Sequence, residues 1–509
     1  MGDQNEEQNA TTKKVVTVEQ LLEKLGGFSW FQLWAAVVTI SPEISAAMIS
    51  LSPILTGSHQ FCENATSSSI ACDKTPSFPG VLKSVVQEWN LVGSKTWISD
   101  LFTSVQMFGA LFGALVAGNC AERYGRKKAH FTLCVLMGTF GFASGWAPDP
   151  YMYCLFRFVT GFAVGGCYVV YLNYLMEFLT PQYRTVCGCV SLWAVGEMLL
   201  ALVGYYMPGW RQINWITSLP VFTILLAYPW MPESPRWLLC QGRTEEAMEV
   251  FDQIARWNNK PSLDPSDIKI LQHQILQNGE SEDSGNKKGL YGFASSMCRT
   301  FEIFKYQEYR SQLLVLMFSW FAFQLVYYGI SFNMKNLSGD PYLNLLIMGV
   351  VGLPGSFSGL LFNNRLGRKT TIIGFVTVSF CLLIALITIE ETNLSQQYPI
   401  LILSLCLSVR LCVAAAFAVL SCFTAESFPT VVRVSSMGIC ALFGNVGGIL
   451  APQFVFISTI VKSAQYITFG LLSLATVIGA FNLKDMKGKP LEDFIRKQEN
   501  DNDKQTLSF

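Results

Sequence analysis

Twelve stretches of about twenty residues, each almost free of charge, recur along this 509-residue chain, and they restrict its folding more than any other feature. Eight contain no Asp, Glu, Lys or Arg: Leu101–Ala121, Phe131–Pro148, Ile213–Pro232, Ser311–Met334, Pro341–Asn364, Thr370–Ile389, Val434–Val461 and Ser463–Leu483. Four more of similar length each hold one or two: Phe28–Ile54 (Glu43), Pro150–Phe178 (Arg157, Glu177), Val186–Pro208 (Glu197) and Pro399–Phe423 (Arg410). About 20 apolar residues at 1.5 Å per residue match the ~30 Å hydrocarbon core of a bilayer. Lipid leaves no water to satisfy a bare backbone, so such stretches must be helices. The expected fold class is therefore an all-α membrane protein with twelve transmembrane helices, numbered here as spans one to twelve in chain order. Charged residues make up 14% of the chain, where soluble proteins carry about 25%. Basic and acidic residues balance at 36 each, which removes any bulk electrostatic case for a nucleic-acid partner.

Basic residues set the orientation. Arg123-Tyr124-Gly125-Arg126-Lys127-Lys128 lies between spans two and three, and Arg365-Leu366-Gly367-Arg368-Lys369 between eight and nine. Arg184 and Arg433 fall in the links after spans four and ten. All four links lie on one side, expected to be cytosolic, and an even number of spans puts both termini there. Residues 1–27 are polar with no cleavable apolar core, so no signal peptide is expected. The opposite side carries the long loop 57–94 with Asn64-Ala65-Thr66, and Asn336-Leu337-Ser338 and Asn393-Leu394-Ser395 also lie at outer ends. All three are glycosylation acceptors. Cys62 and Cys72 are the two of 15 cysteines in that outer loop, where a disulfide is permitted. The spacing of the others suggests no metal site, and three histidines are few for one.

The chain also repeats itself. Arg-x-Gly-Arg-Lys occurs at Arg123–Lys127 and again at Arg365–Lys369. Each copy is followed by a carboxylate, a proline and an arginine: Glu177, Pro181, Arg184 and Glu426, Pro429, Arg433. This is a duplicated six-helix unit, with halves at 28–232 and 311–484, a cytosolic connection at 233–310 and a cytosolic tail at 485–509. Within the connection, Thr244–Trp257 has Met248, Phe251, Ile254 and Ala255 at helical spacing, and 278–288 reads as a polar link. Two six-helix halves around a central inside loop follow the major facilitator plan. Gly118-x-x-x-Glu122-Arg123-x-Gly125-Arg126-Lys127 resembles that superfamily's signature between spans two and three, and Arg157-x-x-x-Gly161-x-x-x-Gly165 its fourth-span motif. Pro232-Glu233-Ser234-Pro235-Arg236-Trp237-Leu238-Leu239 is similar to the mark of the organic cation, organic anion and carnitine transporters and of their sugar-porter relatives. Tyr327-Tyr328-Gly329, Ala415-Ala416-Phe417, Glu426-x-Phe428-Pro429-Thr430 and Gly447-Gly448-x-x-Ala451-Pro452 resemble the organic-ion branch.

The resemblance implies an inner gate of exchangeable ion pairs. Its candidates are Glu122, Arg123, Arg126, Lys127, Glu177 and Arg184 in the first half, and Arg365, Arg368, Lys369, Glu426 and Arg433 in the second. Glu122 stands where the signature usually has Asp, and Asn364 takes its place in the repeat. Gly109/Gly113, Gly161/Gly165, Gly355/Gly359 and Gly444/Gly448 form small-x-x-x-small faces, which suit close static packing and also sliding contacts. Arg157 is shallow and matches a family motif, so a structural role is expected.

Glu43, Glu197 and Arg410 fall near mid-membrane, where a charge costs at least ~2.5–3.5 kcal/mol and so faces a wet cavity or a partner. An ion pair between helices and a substrate cavity are both open readings. Span seven adds Trp320, Phe323, Gln324, Tyr327 and Tyr328, an aromatic face suited either to packing or to holding an organic cation. In the organic-cation branch an acid typically precedes the Gly-Gly of span eleven, whereas the anion and carnitine branches have an arginine. Here Asn445 supplies neither charge. Two acids and one base favour cations or zwitterions, carnitine- or betaine-like, with organic anions as the alternative. No nucleotide-binding loop, His-Glu-x-x-His helix or Ser–His pair suggests an enzyme or a cofactor. The expected function is secondary or facilitative transport of small organic ions across the plasma membrane. H+ or Na+ are candidate coupling ions, and lipid is the other partner. A receptor or scaffold without turnover is the rival from another class.

Overall fold

The computed structural model describes residues 17–57, 83–91, 93–180, 183, 192–207, 209–280, 304, 307–337, 339–392, 397–428, 430–461 and 463–483. Among them the chain is helical apart from one isolated parallel bridge, Lys83 to Gly209. Every one of the twelve expected windows is occupied by helix. Eight of these helices are long and apolar enough to cross a membrane, and Trp193–Tyr206 and Pro341–Gly355 are shorter apolar helices. Windows three and six are helical as Arg126–Ser144 and Trp210–Leu225. The charges at the head of Arg126–Ser144 explain why it reads as less apolar than its window Phe131–Pro148.

Helix ends depart from the windows in ways that matter. Span two begins at Trp97, which draws Asp100 into its first turn. Span three starts at Arg126, so its basic cluster is helical rather than a loop, with Gly125 turning the chain at φ 103° before it. The expected helix Thr244–Trp257 is present at those bounds, with Phe251, Ile254 and Ala255 buried. A further helix, Pro265–Glu280, runs three residues into the stretch expected to be a polar link. Ahead of span one lies a short amphipathic helix, Val18–Lys24. Thr17 and Gln20 cap it reciprocally, and Val18, Leu21 and Leu22 are buried.

The described residues group into two compact units. The first comprises those up to 292 together with 332–350, and the second those of 293–331 and 351–509. In the first, spans two and four interlock through glycines. A Cβ on Gly113 would stand 1.9 Å from the Phe162 carbonyl oxygen, and one on Gly161 would stand 1.9 Å from that of Gln106. Such distances admit no side chain, so these faces are close backbone contacts. Val18, Leu21, Leu22 and Leu25 join Phe31, Trp237, Phe251, Ile254, Ile268 and Leu271 in one apolar cluster. Lys24 pairs with Asp267 at 3.0 Å, and Arg236 with Glu19 at 2.5 Å, at its rim. In the second unit, the backbone of span eleven lies close on span seven: a Cβ on Gly447 would stand 2.4 Å from the Phe321 carbonyl oxygen.

Candidate functional site

Span one is broken twice, at Ser41-Pro42 and at Ser52-Pro53, into Trp30–Ile40, Pro42–Leu51 and Pro53–Thr56. A proline has no N–H for the carbonyl four residues back, so each break strands one acceptor. The Ser41 hydroxyl bonds the Val38 carbonyl at 3.4 Å, and the Ser52 hydroxyl the Ile49 carbonyl at 3.0 Å. Arg157 completes the second break. Its Nη1 donates to the Ile49 carbonyl at 3.1 Å and to Ser52 Oγ at 3.2 Å, and its guanidinium lies over the Tyr153 ring. Arg157 is buried and mends a helix, which is the structural role expected of it.

The first break also positions Glu43, which enters the first turn of Pro42–Leu51. Its carboxylate is buried and accepts from the Tyr171 hydroxyl at 2.7 Å and from the Leu192 backbone N–H at 2.7 Å. Three spans, one, four and five, thus meet at this one side chain. Glu197 is buried on span five and accepts from Trp193 Nε1 one turn earlier at 3.1 Å. The helices bearing the two acids touch closely, since a Cβ on Gly196 would stand 2.6 Å from the Ile44 carbonyl oxygen.

In the second unit, Arg410 is buried on span ten. Its Nε donates to Ser331 Oγ at 3.0 Å and its Nη2 to the Tyr327 hydroxyl at 2.7 Å. The span-seven aromatics divide. Trp320 and Phe323 are buried, and Trp320 is held by Thr424 Oγ1 at 3.1 Å and by the Phe417 ring. Gln324, Tyr327 and Tyr328 are half-buried, as is Asn445, which follows the Gly444 that packs beside Gln324. Trp320 and Phe323 are thus the buried part of the face, and Gln324, Tyr327 and Tyr328 its partly exposed part.

Where spans two and three meet, Arg126 Nε lies 3.2 Å from Glu177 Oε1, and Arg126 Nη1 also caps the Ala121 carbonyl at 2.9 Å. Lys127 stands over the Tyr228 ring at 4.4 Å. Glu233, named in the sequence only as part of a motif, accepts from the backbone N–H of Lys127 at 2.9 Å and of Ser234 at 3.0 Å. Tyr174 donates to the Pro232 carbonyl, and Trp237 Nε1 to the Glu122 carbonyl at 2.7 Å. The side chains of Glu122 and Arg123 are exposed, so of the first-half candidates Arg126 and Glu177 form the ion pair. In the repeat, Lys369 Nζ donates to the Phe481 and Leu483 carbonyls at 2.8 Å each, tying span nine to the end of span twelve. Arg365 is exposed and Arg368 half-buried. Arg184 and the side chains of Glu426 and Arg433 lie outside the described residues, as do Asn64, Asn393, Cys62 and Cys72. Asn336 is exposed and donates to Asn333 Oδ1 at 3.2 Å.

An ion pair missed by sequence reasoning lies at the start of span two, in the first unit. Lys335 Nζ stands 2.5 Å from Asp100 Oδ1, with the two side chains only 7% and 6% exposed. Asp100 immediately precedes window two and Lys335 immediately follows window seven. Each is the charge that ends its window, and that was the available signal.

Comparison with known proteins fits this architecture. The family model described as sugar (and other) transporter matches residues 45–497. The chain belongs to that family. Within it, the chain belongs to the organic-ion branch of the major facilitator superfamily. It is 31% identical over 442 residues to an organic cation transporter protein of Drosophila melanogaster, covering 86% of this chain and 77% of that one. It is 29% identical over 454 residues to human solute carrier family 22 member 13, covering 88% and 77%. In fold it is similar to the inward-open xylose transporter XylE from E. coli, with a TM-score of 0.62 at 16% identity, over 91% of this chain and 98% of that one. This transporter is thus a multi-pass membrane protein that handles small molecules, and not an enzyme.

Proposed function

We propose that this transporter moves small organic cations or zwitterions across the plasma membrane by alternating access, with both termini cytosolic. The observation that carries this reading is Glu43, a buried carboxylate at a helix break, held by two neutral donors from two other spans. A substrate ammonium entering there adds an ionic contact to that carboxylate, the kind of differential contact that a carrier needs between its states. In the second unit, the half-buried Tyr327 and Tyr328 offer aromatic faces of the kind that attract an organic cation. The similarity to an organic cation transporter supports the sign. Membrane potential alone provides ~2.3 kcal/mol per 100 mV for a monovalent cation, about 40-fold accumulation.

Arg410 supports a second reading, organic anion transport, because its guanidinium is buried and bonded to neutral hydroxyls. Oocyte uptake of labelled cations, zwitterions and monocarboxylates, with current recorded alongside, separates the two. Glu43→Gln is expected to weaken cation uptake and Asn445→Asp to strengthen it. Cation uptake intact in Glu43→Gln, together with monocarboxylate uptake abolished in Arg410→Ala, would make the protein an anion carrier. Saturable uptake with counterflow distinguishes a carrier from a receptor. Proton coupling, where present, runs through Glu43 or Glu197, and uptake flat between about pH 5.5 and 8 excludes it.

A further inference from the structure

His130 and Cys134 sit one turn apart on span three, and Cys167 faces them from span four. All three are buried, and one ligand atom from each lies within 4.8 Å of the others. Cys134 Sγ is 3.9 Å from His130 Nε2 and Cys167 Sγ is 3.9 Å from His130 Nδ1. The surroundings are apolar, including Ala117, Phe131, Leu133, Met137 and Val170. A dry imidazole normally secures a strong donor and a strong acceptor. Here the neighbours of both ring nitrogens are sulfurs at the long limit of a hydrogen bond.

We propose that His130, Cys134 and Cys167 form a binding site for a soft divalent d10 cation of the zinc class. Zinc binds sulfur at about 2.3 Å and imidazole nitrogen at about 2.0–2.1 Å. Two such ligands across a tetrahedral angle stand about 3.6 Å apart. The sulfurs face opposite ring nitrogens, so once one nitrogen takes the ion the farther sulfur, within 4.8 Å, closes by up to about 1.2 Å. The donor set excludes Mg2+ and Ca2+, which require oxygen. Charge favours a divalent ion. The two thiols release their protons on binding, and the two thiolates then neutralise the cation, which suits an apolar interior. One coordination position remains for a water or a backbone carbonyl. Spacing alone concealed the site, because the third ligand comes from another helix. The bound ion ties span three to span four. Cys167 is one turn from Tyr171, whose hydroxyl holds Glu43, so occupancy stiffens the support of that carboxylate.

The test uses the full chain expressed in zinc-supplemented cells, purified in detergent with an EDTA wash to strip surface ions, and counts zinc per chain. About one zinc per chain is expected for the parent and for Cys240→Ser, which alters an exposed cysteine outside the cluster. Cys134→Ser and Cys167→Ser are expected to retain almost none. Losing even an outer-shell partner of a ligand costs about 10–100-fold in affinity, and losing a ligand costs more. X-ray absorption at the zinc edge is expected to read two sulfurs at about 2.3 Å. Should either serine variant fail to fold, His130→Gln replaces it and is expected to lose the metal while keeping the monodisperse elution of the parent. A parent without zinc, or serine variants with parental zinc, overturns the proposal.

Discussion

Replacing Lys335 with alanine leaves the Asp100 carboxylate buried without its cation. Two unit charges 2.5 Å apart attract by ~7 kcal/mol at an effective dielectric of about 20, and much of that offsets the desolvation of both groups. The pair therefore adds little net stability, but losing one member costs about 3–5 kcal/mol, because the survivor remains out of water. That penalty applies only while Asp100 is buried, so any opening that hydrates it removes the cost. Lys335→Ala is thus expected to shift the closed-to-open balance by roughly 10²–10⁴-fold towards an open outer end. A reporter Ser99→Cys, buried beside Asp100 and placed in a chain with Cys62 and Cys72 replaced, would read this through its rate of labelling by a membrane-impermeant thiol reagent. The rate should rise more than about tenfold in Lys335→Ala and return towards parental in the double variant Asp100→Leu/Lys335→Met, which removes both charges. A labelling rate unchanged by Lys335→Ala would refute the idea that this pair latches the outer end. So would a double variant that labels as fast as the single one.

Arg126→Ala removes the guanidinium from Glu177 and is expected to lower transport per surface copy about tenfold or more, ~1.4 kcal/mol of lost gating balance, while surface biotinylation changes far less. Gly113→Ala would drive a methyl into the Phe162 carbonyl and should lower the melting temperature in detergent, at ~1–3 kcal/mol or more. Gly374→Ala, with open space around it, should not. Arg157→Met leaves the Ile49 carbonyl with the Ser52 hydroxyl alone and should also lower the melting temperature. Adding Pro53→Ala returns a backbone N–H to that carbonyl and is expected to recover part of the loss. No recovery would show that Arg157 acts other than by mending the helix break.

The spans, their repeat and the depth of the buried charges were legible because each is a property of one stretch of chain. Glu43 was identified from its distance into span one, and Arg157 from its shallowness beside a motif. Their partners were not legible. Tyr171 and the Leu192 N–H lie 128 and 149 residues from Glu43, and nothing in a charge-free window says which face meets which neighbour. Asp100 and Lys335, 235 residues apart, fell at the edges of windows drawn to exclude charge, so the method that located the spans discarded them. Trp320 and Phe323 show the converse limit. Helical spacing put them on a face with Tyr327, but the fixing of the Trp320 ring by Thr424 depends on span ten.

The helix Val18–Lys24 leaves the ribosome long before its ionic partners are synthesised. Glu19 waits 217 residues for Arg236 and Lys24 waits 243 for Asp267. At about 5–20 residues per second that delay is ~10–50 seconds. Throughout it, Val18, Leu21, Leu22 and Leu25 lack the part of their cluster that residues 237–271 supply. The headgroup layer beside the newly inserted first span is the nearest shelter for such an amphipathic stretch. The helix then passes from lipid to protein when residues 236–271 emerge, so its docking marks the completion of the first half before span seven is made.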